Sequence, residues 1–439
     1  MLGLMIRRAL LFLLAALAFA QVPAPQLARK ALDLLLAEKF TELSAMFSRV
    51  MKESLPEDSL RSQVGGEVRR LGKAGEIGEP VLGQDGGNRF VSFPVKFSNV
   101  AVNVQFTINE AGEVAGVFFR PPAAPLPVVW KAAAYVKAES FSERGITLGA
   151  DQWKLPGVLT LPNGKGPFPA VVLVHGAGPN DRDESVFSNK MFRDIAEGLA
   201  SRGIAVLRYD KRTNVFGYEM AGKPITLQEE TTEDAVRAVA VARAQKEINP
   251  RRVFVLGHSL GGYASPRIAA RDGKLAGLIL LDGNARPIED LVLDQNEYLA
   301  GLALVPNPAQ QRLLEELRAE VAKVKKLDPA GQNPPMVMKM PVGYFLDLKG
   351  YDPAAAAAKL AIPLLILQGE RDFQVTMKDF ALWKSGLAAK KNATLKSYPK
   401  LNGLMIAGEG KGSPADYRAP GNVDAEVVTD IVAWLNGIR

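Results

Sequence analysis

After residue 140 the chain alternates short runs that are apolar on both faces with longer amphipathic stretches. Ala170-Val171-Val172-Leu173-Val174, Val253-Phe254-Val255-Leu256, residues 275–281 and Leu364-Leu365-Ile366-Leu367 read as buried strands, because a strand covered from both sides needs no polar face. Strands at 204–209 and 394–398 join them, and helices are predicted at 189–201, 232–246 and 424–435. Segments 144–148 and 155–161 predict leading antiparallel strands. Residues 140–439 therefore form an α/β unit, a mostly parallel sheet with helices on both faces. A mainly helical insertion at 283–361 interrupts it, in which Asn307 and Pro308 start a helix with Leu313, Leu317, Val321 and Val324 on one stripe. Placed there, it covers the C-terminal edge of the sheet as a lid. Met336, Met338, Met340, Tyr344 and Phe345 could line an acyl pocket or simply pack the lid onto the body.

Ahead of this lies a smaller unit. Residues 26–51 carry Leu32, Leu35, Leu36, Phe40, Leu43 and Phe47 on one helical face, and Pro56 opens a second helix toward Leu71. Residues 90–97, 102–108 and 114–119 alternate as three antiparallel strands, giving an α+β unit over 24–120. The stretch 121–139 begins Pro121-Pro122-Ala123-Ala124-Pro125-Leu126-Pro127 and reads as a stiff linker.

The apolar run 253–256 breaks at Gly257-His258-Ser259-Leu260-Gly261 and continues as a helix, a strand, tight turn and helix with Ser259 at the turn. Glycines at 257 and 261 let the backbone at Ser259 bend without side-chain collision. A serine hydroxyl needs a base, a group that orients the base, and donors for the oxyanion. The donors are predicted as the backbone N–H groups of Leu260 and of Ala177, in the loop His175-Gly176-Ala177-Gly178. Asp372, just past a strand, is the candidate orienting acid. The base is missing. Of the two histidines, His175 braces the oxyanion loop and His258 leaves the strand end on the side away from the serine. Gly403 stands after the last strand, where a histidine is wanted, and leaves room for an imidazole. Glu409 is a weaker alternative base.

Composition narrows the chemistry. No cysteine occurs in the 439 residues, which excludes a disulfide framework, a thiolate nucleophile and a cysteine-ligated metal. The formal charge of +7 includes Arg7 and Arg8 and is otherwise dispersed among acids, so nucleic-acid binding is not indicated. Residues 1–20 carry those arginines, an apolar run and Ala18-Phe19-Ala20, the pattern of a signal peptide. The expectation is an exported protein, periplasmic or extracellular, with no membrane span once that segment is removed. Asp181-Arg182-Asp183-Glu184 invites a metal reading, but ion pairs with Arg208, Asp210, Lys211 or Arg212 that fix the oxyanion loop explain it better. No cofactor and no metal are expected.

From Tyr135 to Trp434 the chain resembles bacterial α/β-hydrolases, esterases related to the serine aminopeptidase-like and dienelactone-hydrolase-like groups. The likeness lies in 172–184, in Leu207-Arg208-Tyr209-Asp210-Lys211-Arg212-Thr213, in the Ser259 turn, in Asp282-Gly283-Asn284-Ala285-Arg286-Pro287 and in Gln368-Gly369-Glu370-Arg371-Asp372. Residues 24–120 resemble the small cystatin-like or nuclear-transport-factor-like domains found ahead of secreted hydrolases. The resemblance implies an α/β-hydrolase fold and cleavage of small acyl esters through an acyl-enzyme, with Ser259 and Asp372 carried over by position. In that family Leu-Asn-His occupies the place of Leu401-Asn402-Gly403, so this chain departs at the base. The expected function is a serine hydrolase of impaired turnover. Alternatives are a catalytically dead binding or regulatory protein and a peptidase or acyl-aminopeptidase.

Overall fold

A computed structural model describes residues 24–85, 88–109, 111–120, 130–149, 152–220, 223–302 and 308–438. The signal-peptide segment, residues 121–129 of the linker and Asn307 lie outside the described residues. The chain divides into two compact units, Met1–Leu126 and Pro127–Arg439.

In the first unit Leu32, Leu35, Phe40, Leu43 and Phe47 pack on Val91, Phe93, Val104 and Phe106 of an antiparallel sheet. The single helix expected over 26–51 is three: Ala24–Leu36, Phe40–Ala45 and Arg49–Ser54. It breaks where Glu38 takes a positive φ of 53°, and restarts where the Ser48 side chain accepts the Met51 N–H and caps the third piece. Strands Asn88–Phe97, Ala101–Ile108 and Val114–Arg120 form the predicted meander. Two further strands, Ala74–Ile77 and Val81–Asp85, pair with Asn88–Phe97. They escape sequence reading because Ala74–Ile77 has no buried residue, so nothing forces an alternating pattern on it.

In the second unit the described residues form an eight-stranded sheet in the order Ala393–Tyr398, Leu364–Gly369, Gly277–Leu281, Ile248–His258, Phe168–Val174, Ala205–Tyr209, Leu155–Pro162, Phe141–Leu148. The first six run parallel, and the last two are the antiparallel pair read from the sequence. The uninterrupted aliphatic runs are buried along their length: Val171, Leu173, Phe254 and Leu256 face one layer of helices, Val172, Val174, Val253 and Val255 the other. Residues 130–139, assigned above to the linker, belong to this unit. Trp130 lies under the Arg193 guanidinium at 4.0 Å and donates from its ring N–H to Asp194 at 2.9 Å.

The insertion is helical: Ile288–Gly301, Pro308–Lys325, Val342–Leu348 and Pro353–Ala358. Val321 and Val324 are buried as expected, but Leu313 is 63% exposed, while Leu317 and the neighbouring Leu314 are half-buried. Of the proposed pocket residues, Met336 is half exposed, while Met338 and Met340 pack with Val324, Leu327, Val337 and Phe345. These partners belong to the insertion itself, so Met338 packs within the lid, and of the two only Met340 also packs against the main core as the lid-to-body reading expects. Tyr344 is buried and its hydroxyl donates to Glu230 Oε2 at 2.7 Å. No helix among the described residues is long and apolar enough to cross a membrane.

Candidate active site

Ser259 sits between the strand Ile248–His258 and the helix Leu260–Asp272, with φ 51° and ψ −115°. Such a conformation is costly for a residue with a side chain, and the surroundings hold it. Its N–H donates to Leu281 O at 3.0 Å and its carbonyl accepts the Tyr263 N–H at 3.0 Å. The two flanking glycines are required by close approach. A Cβ on Gly257 would lie 2.3 Å from Gly261 O, and one on Gly261 would lie 2.2 Å from Val174 O. The helix presents its first N–H, that of Leu260, beside the serine.

The loop His175 to Gly178 faces this turn. A methyl on Gly176 would meet Glu184 Oε1 at 3.1 Å, Ser259 Cβ at 3.3 Å and His258 Nδ1 at 3.5 Å, so three side chains converge on that glycine. The Gly176 N–H donates to Glu184 Oε1 at 2.6 Å, and the Gly176 carbonyl accepts from Lys211 Nζ at 2.8 Å and Asn180 Nδ2 at 3.1 Å. Ala177 is exposed beside it. His175 is buried against Phe192 and Tyr209, with ring centroids 5.1 Å away in each case. Burial, aided by the Lys211 charge, lowers its pKa to about 4, so it stays neutral and apolar in behaviour.

His258 is held from both sides. Its Nδ1 approaches Glu184 Oε1 at 3.1 Å and its Nε2 lies 2.9 Å from the Gly403 carbonyl. Burial disfavours its charge, but the Glu184 carboxylate outweighs that and raises the imidazole pKa to about 9. With Nε2 hydrogen-bonded to the Gly403 carbonyl and Nδ1 facing the Glu184 carboxylate as an ion pair, the protonated ring is favoured at neutral pH, and a protonated ring has no lone pair with which to accept a proton. Burial opposes the Glu184 charge too, yet His258 and the Gly176 N–H hold this carboxyl below its ordinary range.

Asp372 follows the strand Leu364–Gly369 and is buried; its Oδ1 accepts the Gln374 N–H at 2.7 Å. Asp282 follows the neighbouring strand Gly277–Leu281 at φ 46°, and its Oδ1 accepts the Gly369 N–H at 2.7 Å. Burial raises the pKa of both carboxyls, and the charge of Asp372 raises that of Asp282 further. Gly403 is where the sequence placed it, in the loop after the strand Ala393–Tyr398. The room expected for an imidazole is closed at its root. A Cβ on Gly403 would lie 2.7 Å from the Tyr417 hydroxyl and 2.8 Å from Asp372 Oδ1. Glu409 is exposed and offers its backbone carbonyl to Arg371.

The acidic cluster 181–184 is paired. Arg182 makes a two-pronged contact with Asp210 at 2.9 and 2.7 Å, and Asp183 binds Lys190 at 3.0 Å and Arg208. Among the described residues no group of histidine, cysteine, aspartate or glutamate side chains could hold a metal ion. Sequence reasoning missed Glu184 as the partner of His258, and Asp282, Tyr417 and Lys211 as parts of the site. The first lay within the flagged cluster and Asp282 and Lys211 within quoted motifs, but their partners are remote in sequence.

A family model described as "Alpha/beta hydrolase family" matches residues 171–404. Esterase EstD of Thermotoga maritima is 41% identical over 345 residues, covering 78% of this chain and 79% of that protein. The quorum-quenching protein AidA of Acinetobacter baumannii is 34% identical over 113 residues, 25% of this chain and 34% of that one. Among solved structures, Est1E from Butyrivibrio proteoclasticus is 19% identical with a TM-score of 0.43, covering 67% of this chain and 99% of its own.

Proposed function

We propose, because this chain belongs to the alpha/beta hydrolase family, that it hydrolyses small carboxylic esters through an acyl-enzyme on Ser259, with turnover held low by the lack of a base. The single observation that carries the reading is the strained φ of 51° at Ser259, at the C-terminal end of a central parallel strand and ahead of a helix N-terminus. Esterase EstD, similar over most of both chains, supports an ester as the substrate class.

In this reading Ser259 Oγ attacks the ester carbonyl, and the N–H groups of Leu260 and Ala177 stabilise the oxyanion. The alcohol leaves and water then releases the acid. Asp372 has the position of the orienting acid, but Gly403 gives it no imidazole to orient. The loss of one triad member leaves about 10³ to 10⁴ over water from the oxyanion hole and binding. His258, held as a cation, does not make up the loss.

A second reading, a hydrolase-fold binding protein without turnover, is favoured by the closure of Asp372 and Tyr417 onto Gly403. Hydrolysis of p-nitrophenyl acetate and butyrate by wild type, Ser259→Ala and Gly403→His proteins separates the two. Slow wild-type hydrolysis abolished in Ser259→Ala supports the esterase. Equal rates in wild type and Ser259→Ala, with no gain in Gly403→His, support the binding protein. Fast wild-type hydrolysis that depends on Ser259 would place the base elsewhere.

A further inference from the structure

Lys211 is a buried cation with no role in the chemistry derived above. Its side chain is 3% exposed, and burying an ammonium is costly unless it is paired and hydrogen-bonded. The ammonium donates to Glu230 Oε1 at 2.6 Å and to the Gly176 carbonyl at 2.8 Å. Glu230 lies in the π-helical turn Gln228–Thr232, and its other oxygen accepts the Tyr344 hydroxyl from the insertion helix Val342–Leu348. A continuous hydrogen-bonded chain thus runs from the insertion, through Glu230 and Lys211, to the loop facing Ser259.

Its end point matters because a peptide group is rigid and planar. The Gly176 carbonyl and the Ala177 N–H are opposite ends of one amide, so whatever fixes the oxygen fixes the direction of the hydrogen. A cation on the oxygen also polarises the amide and strengthens its N–H as a donor. The Lys211–Glu230 pair, itself buried, presents its positive end to the buried carbonyl end of that amide, where such fields are strong.

We infer that Lys211 is a positioning residue for the oxyanion hole, orienting and polarising the Ala177 N–H through the Gly176 carbonyl, and that Glu230 and Tyr344 tie this donor to the insertion. The inference rests on the hydrolase reading above. It requires the effect of Lys211 to fall on the covalent step, where negative charge develops on the oxygen, and not on ground-state binding.

The test is covalent labelling of Ser259 by an alkyl fluorophosphonate, whose phosphoryl oxygen takes the oxyanion position, with kinact and Ki measured separately on the full chain. Wild type and Gly403→His proteins are each compared with the same chain carrying Lys211→Met/Glu230→Gln, which removes the cation without stranding a buried carboxylate. Expected is a fall in kinact of about tenfold or more with Ki within about threefold. Tyr344→Phe, which keeps the cation and loses only the link to the insertion, should lower kinact about two- to fivefold and stands in if the double variant does not fold. A kinact within threefold in the folded double variant would overturn the inference. So would a loss carried by Ki, or, where only Tyr344→Phe folds, a kinact equal to that of its parent. If Ser259 takes no label in either parent chain, the hydrolase reading itself fails and the role of Lys211 falls with it.

Discussion

His258 Nε2 lies 2.9 Å from the carbonyl oxygen of Gly403, so the histidine that precedes the candidate nucleophile is bound to the backbone of the residue standing where a base was expected. The charge it carries there is set by Glu184 on its other side, 3.1 Å from Nδ1. This arrangement separates holding the Ser259 turn in place from moving its proton. The first is provided for, and in the proposed function the second is not.

Gly403→His and Gly403→Ala should diverge. Both put a Cβ within 2.8 Å of Asp372 and Tyr417, and must push those side chains aside. The alanine variant is expected to lose about 1–3 kcal/mol of stability by overpacking and gain no activity. The histidine variant recovers part of that loss through a bond to Asp372, and should raise kcat for p-nitrophenyl butyrate about 100-fold or more in a Ser259-dependent manner. Urea unfolding and steady-state kinetics on the two proteins check this. Equal activity in both would remove Gly403 as the position of the base.

Added imidazole is expected to rescue little. The space beside Gly403 is filled by a carboxyl and a phenol, so a free ring has no ready place next to Asp372. The measurement is esterase rate against imidazole concentration. A Ser259-dependent rise of less than about twofold over the unassisted rate is expected, since a well-placed acid–base group contributes about 10² or more.

The two histidines of the chain should titrate far apart. His258 is expected near pH 9 and His175 near pH 4, with no imidazole titrating around the ordinary value. Imidazole C–H resonances, assigned with a His258→Gln variant, report this directly. The linkage has a definite sign. The raised value at His258 gives stability that is fully present below the unfolded value of about 6.5 and is lost as pH rises through about 9, at most about 3 kcal/mol. At His175 the sign reverses, and stability falls as pH drops from about 6.5 toward about 4. Denaturant midpoints across pH 4 to 10 test both, and a histidine titrating near 6.5 would contradict the geometry.

Gly261→Ala should unfold or badly destabilise the second unit. Its Cβ would stand 2.2 Å from Val174 O and 2.7 Å from His175 O, both backbone atoms that cannot step aside. A cost of at least about 3 kcal/mol is expected. Gly301→Ala, at a helix end with nothing near its added Cβ, is the control and should gain a few tenths of a kcal/mol, by order of magnitude. Thermal melts of the two variants decide it.

Much of the architecture is legible because it rests on local pattern. Strands such as Phe168–Val174 and Leu364–Gly369 announce themselves by having no polar face. The turn at Ser259 is written in two glycines whose absence of side chains is a local necessity. Less legible are elements without a buried face, such as Ala74–Ile77, and the choice between Leu313 and Leu314 on the insertion helix, where the apolar residues are consecutive and only the surface they meet selects one.

The sequence by itself determined the class of fold, the place of the serine in its turn, and the absence of any histidine after the last strand. Those conclusions depend on residue type and near-neighbour spacing alone. Only the tertiary structure decided that His258 lies between Glu184 and Gly403, where the carboxylate favours its charged form, that Asp372 and Tyr417 fill the space at Gly403, and that Lys211 reaches the Gly176 carbonyl. Each of these pairs a buried polar group with a partner distant in the chain. Burial obliges such a group to find a partner, but which partner it finds is fixed by which strands and loops lie side by side in the sheet.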